Sequence, residues 1–342
     1  MASAGARQET KRLSSNEHDG GMSPVRALLT SMRPHHWVKN LLILLVMPFS
    51  GKAAQPWAWA MASLAFAAFC LFSSAIYLFN DIADRQRDQA HPVKRLRPIA
   101  SGRLGVSTAA AAGAVLLALG AVLVTIVIAL QKGGVLPYEL ARPMWGYSLA
   151  AWAGAYVLMT LAYSFKLKEA PIVDVLIVAA GFVLRAMAGA AALAVVISPW
   201  LVICTFMLCL FIALAKRRTE IAELGEGARQ TRRVHDFYTL TNLDHMLSVS
   251  AGLAIVTYSL YCLAERTVSE VVGSPHLIWT VPLVVYGLFR YYCLVVSDGC
   301  PEDPVRVLMH DRILWAVVAL WIVLAWLILA FGHHSAFQGV LK

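Results

Sequence analysis

Charge is what this sequence has least of. Asp, Glu, Lys and Arg make up only 14% of its 342 residues, against about 25% in soluble domains. That scarcity excludes an ordinary water-soluble domain. Paired cysteines are missing as well. Cys70, Cys204, Cys209, Cys262, Cys293 and Cys300 form no CxxC spacing, and most sit inside apolar runs. A zinc ribbon and a disulfide framework are thereby excluded, and the thiols read as small buried hydrophobes. The first 24 residues hold no apolar core like that of a signal peptide. Residues 1–24 read as a disordered cytoplasmic tail and 25–342 as a single transmembrane helical domain. No internal repeat is visible. Ser, His and Cys show no spacing that suggests a hydrolase triad.

Long apolar runs are what the sequence has instead. Hydrophobic residues make up 59% of the chain. Nine apolar segments can be drawn, near 37–53, 57–80, 106–131, 143–164, 171–196, 199–215, 245–265, 275–296 and 313–332. Most approach the roughly 17–25 residues that a spanning helix needs. Backbone polar groups in lipid must be satisfied within the segment, so the runs are expected to be helices. The fold class is an all-α membrane protein of about nine transmembrane helices. The net charge of +9 points to the lipid bilayer as partner, with no nucleic acid, because the cations alternate between sides. Most lie in the tail and in the second, fourth, sixth and eighth loops. The exceptions are Lys52, Lys132, Arg142, Arg266 and Lys342, with Arg185 inside a segment. The positive-inside rule then puts the N-terminus in the cytoplasm and the C-terminus outside, in a multi-pass inner (cytoplasmic) membrane protein.

The densest charge lies in NDIADRQRDQAHPVKRLRPIASG, Asn80 to Gly102. On a continuous helix Asn80, Asp81, Asp84 and Asp88 would share an arc of about 100°. Three carboxylates on one stripe repel each other unless a cation intervenes. A solvated helix end, with its aspartates paired to Arg85 and Arg87, is one account. A Mg²⁺–diphosphate site is the other, since Mg²⁺ takes one or two carboxylates and completes its shell with water and phosphate oxygens. Lys94, Arg95, Arg97 and Arg103 follow, with Pro92 and Pro98 stiffening the loop and Gly102 and Gly105 letting it turn. That supply of cations favours the phosphate account.

Other helix ends add to it. RPHHWVKN, Arg33–Asn40, offers Arg33 and Lys39 to phosphate, or serves as a basic membrane anchor with Trp37. In YSFKLKEAPIVDVLIVAAGFVLRAMAGA, Tyr163–Ala190, Asp174 and Arg185 stand eleven residues apart on one face, about 16 Å along the axis. Such depth is costly for a charge and marks a polar cavity or a buried pair. Lys166 and Lys168 serve as phosphate ligands or as ordinary positive-inside residues. Lys216, Arg217 and Arg218 follow a helix end and are expected to face either solvent or the cavity. Glu302, Asp311 and Arg312 are weaker candidates.

These residues carry a resemblance. Asn80-Asp81-x-x-Asp84-x-x-x-Asp88 is similar to the first Asp-rich motif of the UbiA-type intramembrane prenyltransferase superfamily. HPVKRLRPIASG, RPHHWVKN and YSFKLK…D…GFVLRAMAGA resemble one branch of it, the decaprenyl-phosphate phosphoribosyltransferases. The likeness runs from about Arg33 to Arg312. Superfamily members that use a prenyl diphosphate carry a second motif, roughly DxxxD. Here Asp174 has only Glu169, five residues earlier, with Lys166 and Lys168 before it. One acidic position is missing and cations are added, which suits a donor with an extra phosphate.

The resemblance implies a UbiA-like bundle and a transferase. It would move 5-phosphoribose from phosphoribosyl pyrophosphate to a polyprenyl phosphate of decaprenyl type and release pyrophosphate. The product would be a precursor of lipid-linked arabinofuranose. It also implies Mg²⁺ on Asp81, Asp84 and Asp88, with Asn80 assisting, and donor phosphates on Lys94 and Arg97. Lys39, Tyr163 and Lys168 are expected on donor phosphate or ribose. Asp174 is expected on Mg²⁺ or a ribose hydroxyl, and Arg185 on the lipid phosphate or in a pair within the cavity. The nearest alternative is a UbiA-type enzyme that joins a prenyl diphosphate to an aromatic acceptor. A polyprenyl-phosphate carrier without chemistry is the alternative from another class. Oligomerisation is neither indicated nor excluded by the sequence.

Overall fold

A computed structural model describes residues 23–50, 52–91, 93–132, 148–224, 237–297 and 311–331. Pro92, Glu302 and the tail residues 1–22 lie outside the described residues. The described chain is helical, with irregular connections and no strand among the described residues.

Helix α1, Pro24–Met32, starts with Pro in its first turn, and the Ser23 hydroxyl accepts the Arg26 N–H (3.3 Å). A 3₁₀ helix, Pro34–Val46, follows. Thirteen residues is long for this conformation. Side chains three apart eclipse in a 3₁₀ helix, and Asn40, Ile43 and Val46 form one narrow buried stripe. The remaining helices are α2 (Pro56–Ala83), α3 (Arg85–Ala90), α4 (Val106–Lys132), α5 (Leu149–Phe165), α6 (Val173–Leu193), α7 (Pro199–Leu224), α8 (Leu240–Leu263), α9 (Val281–Val296) and α10 (Arg312–Phe331). A short 3₁₀ helix, Pro275–Thr280, runs into α9.

Seven helical stretches among the described residues are long and apolar enough to cross a membrane. Two of the nine drawn segments fall short: α5, with 17 residues, and the 3₁₀ helix, with 13. The expected segment 171–196 begins at Val173, and 199–215 extends to Leu224.

Lipid tails are as apolar as Leu, so helices in a bilayer associate through close packing. Small residues make that packing possible here. A Cβ on Gly189 of α6 would stand 2.4 Å from the Ile43 carbonyl oxygen, so the 3₁₀ helix lies directly on this glycine. One core joins the 3₁₀ helix, α2, α4, α5 and α6 around Ile43, Phe69, Phe72, Tyr156 and Leu193. Another joins α7 to α10 around Phe211, Leu243, Leu247 and Tyr291, with Val175 of α6 bridging to it. Helix α6 therefore contacts both cores and carries Asp174 and Arg185 between them. The ends of α1, α2, α5 and α6 that carry Arg33, Asp81, Lys168 and Asp174 meet on one side of the bundle.

Candidate active site

The acidic stripe is not one helix. Helix α2 stops at Ala83, Asp84 takes φ −88° and ψ 2°, and α3 resumes at Arg85. The expected continuous stripe is therefore divided at its middle carboxylate, and the charges separate accordingly. The Arg97 guanidinium bridges Asp88 (2.7 Å) and Asp81 (3.4 Å). Asp84 faces a different cation, the buried Lys168, at 2.5 Å. Among the described residues no three His, Cys, Asp or Glu side chains converge as a metal cage. Two do share one cation, which relieves the repulsion the sequence raises.

The loop after α3 is built to deliver Arg97. His91 Nδ1 accepts the Val93 and Lys94 N–H groups (3.2 and 3.3 Å), shaping the turn Lys94–Leu96. Gln89 donates to the Ala100 carbonyl (3.1 Å). Ile99 and Leu104 are buried with Ala27 and Leu78 and anchor the loop to α1 and α2. Gly102 takes φ +81°, where a side chain would be strained. Half-buried Lys94 stands on the turn, three residues before Arg97. Asn80 is half-buried in the last turn of α2, and its carbonyl accepts the Asp84 N–H (2.9 Å).

Arg33 completes this cluster from a distant part of the chain. It ends α1 in the left-handed region (φ 53°). Its guanidinium reaches Asp81 at 2.5 Å and lies over the Tyr77 ring at 4.9 Å. Arg87 pairs with Glu169 at 2.8 Å, tying α3 to the turn that carries Lys168.

A second cluster surrounds Asp174, which is fully buried. Arg217 of α7 donates to one carboxylate oxygen (2.6 Å) and the Tyr238 hydroxyl to the other (2.8 Å). Arg217 also pairs with Glu220. The Ile172 N–H donates to the Tyr238 oxygen (2.7 Å). Ile172 holds φ +66°, a strained value for a β-branched residue. Burial, and then the hydrogen bond given to Asp174, raise the Tyr238 phenol well above its usual range, so it remains a donor. Both Asp174 oxygens are thus engaged by protein groups. Half-buried Tyr163 at the end of α5 lies within electrostatic reach of Arg217.

Arg185 does not pair with Asp174. Its guanidinium donates to the Asn40 side-chain oxygen (2.7 Å), the Gly181 carbonyl (2.8 Å) and the Tyr156 hydroxyl (2.8 Å). It stacks on Tyr156 and Phe182 at 4.6 and 5.3 Å. These acceptors are neutral, and they hold the charge in place of a carboxylate. Asn40 in turn donates to Ser73 (3.1 Å). Half-buried Lys39 stands next to Asn40 on the 3₁₀ helix. Asp311 is a helix cap: it accepts the Leu314 N–H (2.6 Å) and pairs with Arg290 (2.7 Å). That pairing first, and the cap second, hold its carboxyl below the usual range.

Sequence reasoning missed four partners. Arg33 on Asp81, Lys168 on Asp84, and Arg217 and Tyr238 on Asp174 are joined only in three dimensions. The basic run Lys216–Arg218 at a helix end was the one available signal for Arg217.

A bundle of apolar helices with carboxylates and cations gathered at one end defines a multi-pass membrane protein with a polar site at its rim. Residues 41–299 match the UbiA prenyltransferase family, and the chain belongs to that family. It is a membrane transferase of that family. It is 32% identical over 297 residues to a decaprenyl-phosphate phosphoribosyltransferase of Corynebacterium glutamicum, covering 86% of this chain and 84% of the relative. It is 29% identical to the protein of the same name from Mycobacterium tuberculosis, covering 90% and 96%. A UbiA homolog from Archaeoglobus fulgidus bound to GPP and Mg²⁺ shares the fold, with a TM-score of 0.64, 18% identity, and coverage of 89% of this chain and 99% of that one.

Proposed function

We propose that this protein transfers 5-phosphoribose from phosphoribosyl pyrophosphate to a polyprenyl phosphate and releases pyrophosphate. The observation that carries the reading is the contrast between its carboxylates. Asp81 and Asp88 converge on a partly exposed guanidinium that a ligand can displace. Asp174, where prenyl-diphosphate enzymes would need a second acidic motif, is saturated by Arg217 and Tyr238. One acidic site surrounded by Arg33, Lys94, Arg97 and Lys168 suits a soluble donor with three phosphates. The names of the relatives at about 30% identity support the same reaction.

Asp81 and Asp88 fit Mg²⁺, because two carboxylates are what this ion takes when phosphates and water fill the rest of its shell. Asp84 and Asn80 stand beside them as further oxygen donors. When bound, Mg²⁺ would neutralise the diphosphate and ease its departure. Arg97 exchanges its carboxylates for a donor phosphate oxygen, with Lys94 and Lys168 beside it. Tyr163 is assigned to the ribose end. Asp174 acts by holding Arg217. An oxygen of the acceptor phosphate forms the new bond to C1. The bond from C1 to the diphosphate oxygen breaks, and its electron pair leaves with pyrophosphate. The phosphate monoester is already anionic near neutral pH, so no strong base is required. Positioning and charge stabilisation carry the catalysis. The site faces the cytoplasm, where the soluble donor is found, and the product feeds lipid-linked arabinofuranose synthesis.

Incubation of the purified protein with Mg²⁺, polyprenyl phosphate and ribose-labelled phosphoribosyl pyrophosphate tests the reading. Label should enter the lipid phase as pyrophosphate appears. Activity instead on a prenyl diphosphate and an aromatic acceptor would overturn it.

A further inference from the structure

The donor cluster includes Lys168, and Lys168 stands on a short turn. It lies in the 3₁₀ helix Leu167–Glu169, between the end of α5 and the start of α6. It is buried, and its ammonium reaches Asp84 at 2.5 Å. Four residues further on, the backbone is strained. Ile172 has φ +66° and ψ −46°, and the Val173 N–H donates to the Pro171 carbonyl (2.7 Å). That is a γ-turn of the rare, strained hand. Such a conformation persists only where its surroundings enforce it.

Burial of the side chain does not enforce it, since Ile172 is 41% exposed. A hydroxyl does. The Ile172 N–H donates to the Tyr238 oxygen (2.7 Å), and the same hydroxyl donates to Asp174 (2.8 Å). Tyr238 and Asp174 are both buried, and Arg217 of α7 holds the other Asp174 oxygen (2.6 Å). The strained N–H is thus fastened, through one hydroxyl, to a carboxylate that α7 also grips.

The chain from Ile172 back to Lys168 is stiff. Pro171 fixes its own φ and keeps Ala170 extended, at φ −94° and ψ 118°. The Glu169 and Ala170 N–H groups donate back to the Lys166 and Leu167 carbonyls (3.2 Å each). Arg87 ties the turn to α3 through Glu169, but that pair is open to solvent and holds it weakly. A shift at Ile172 is therefore passed to Lys168 instead of being absorbed between them.

We propose that Tyr238 is a positioning residue for the donor site: by fastening the strained turn at Ile172, it holds Lys168 in place beside Asp84. The assignment rests on the phosphoribosyl-transfer reading, in which Lys168 binds a donor phosphate. Tyr238 acts through Lys168 and not on the donor itself.

The test is steady-state transfer at saturating Mg²⁺ and polyprenyl phosphate, with phosphoribosyl pyrophosphate varied. Wild type, Tyr238→Phe, Lys168→Gln and the double variant are compared. Losing a contact that is equal in ground state and transition state raises KM and leaves kcat. Tyr238→Phe should therefore raise the KM for phosphoribosyl pyrophosphate about tenfold and leave kcat within about twofold. Lys168→Gln should raise KM at least as much. Adding Tyr238→Phe to Lys168→Gln should then change KM by less than about twofold, because the two residues act in series. A merely structural loss lowers the fraction of active protein, and so kcat, without moving KM. Pro171→Gly loosens the same link and leaves the buried hydroxyl and carboxylate in place, so it serves if Tyr238→Phe fails to fold. It too should raise KM, and not on top of Lys168→Gln. KM effects that multiply in the double variants, or a lower kcat at unchanged KM, would overturn the positioning role and leave the transferase reading standing. A wild type that transfers no phosphoribose would overturn both.

Discussion

Two Asp–Arg clusters stand at the same end of this bundle, and access separates them. In the first, the Asp81 and Asp88 side chains are 3% and 5% exposed, and the bridging Arg97 is 30% exposed. In the second, Asp174 is 0% and Arg217 is 7% exposed. Both use a guanidinium to neutralise a buried carboxylate. Only the first leaves its cation partly exposed. Partner exchange is open to Arg97 and closed to Arg217, whose removal would strand a charge. The chemistry of the pair is shared, and burial decides whether it works as site or as scaffold.

The largest effect expected from this contrast is on stability. Arg217→Met leaves Asp174 buried and unpaired and should cost about 3–5 kcal/mol of unfolding free energy in detergent. The double variant Arg217→Met/Asp174→Asn should recover most of it. Equal losses in single and double variants would remove the scaffold role. Next comes Asp88→Asn. It should lower phosphoribosyl transfer by about 10²–10³-fold, the scale seen when one preorganised electrostatic contact is removed. The melting temperature should hardly move, because Arg97 keeps Asp81. A large drop in melting temperature would merge the two clusters into one class. The smallest effect belongs to the exposed pair joining them at the surface. Arg87→Gln breaks a contact to Glu169 in which both side chains are open, 57% and 43% exposed. It should change stability by less than about 1 kcal/mol, and less still at high salt.

Much of this architecture is legible in the sequence, because the bilayer imposes its own pattern. Each of the nine apolar segments contains a helical element. Apolar runs fix helices through backbone satisfaction in lipid, without reference to neighbours. The first cluster is half legible for a similar reason. Asp81, Asp88 and Arg97 lie within one short stretch, so spacing alone brings them into view. The partner of Asp84 is not legible, since Lys168 stands 84 positions away. The Asp174 cluster is invisible to spacing. Its partners Arg217 and Tyr238 are 43 and 64 positions away. Local periodicity shows which face a residue occupies. It does not show which cation from another helix will arrive there.

The most direct measurement is a calorimetric titration of phosphoribosyl pyrophosphate into the purified protein, with and without Mg²⁺, in wild type and Asp88→Asn. The account predicts Mg²⁺-dependent binding to the wild type and at least tenfold weaker binding to the variant, a difference of about 1.4 kcal/mol or more. Binding of equal strength in both proteins, or displacement of the sugar donor by geranyl diphosphate at comparable concentration, would contradict it.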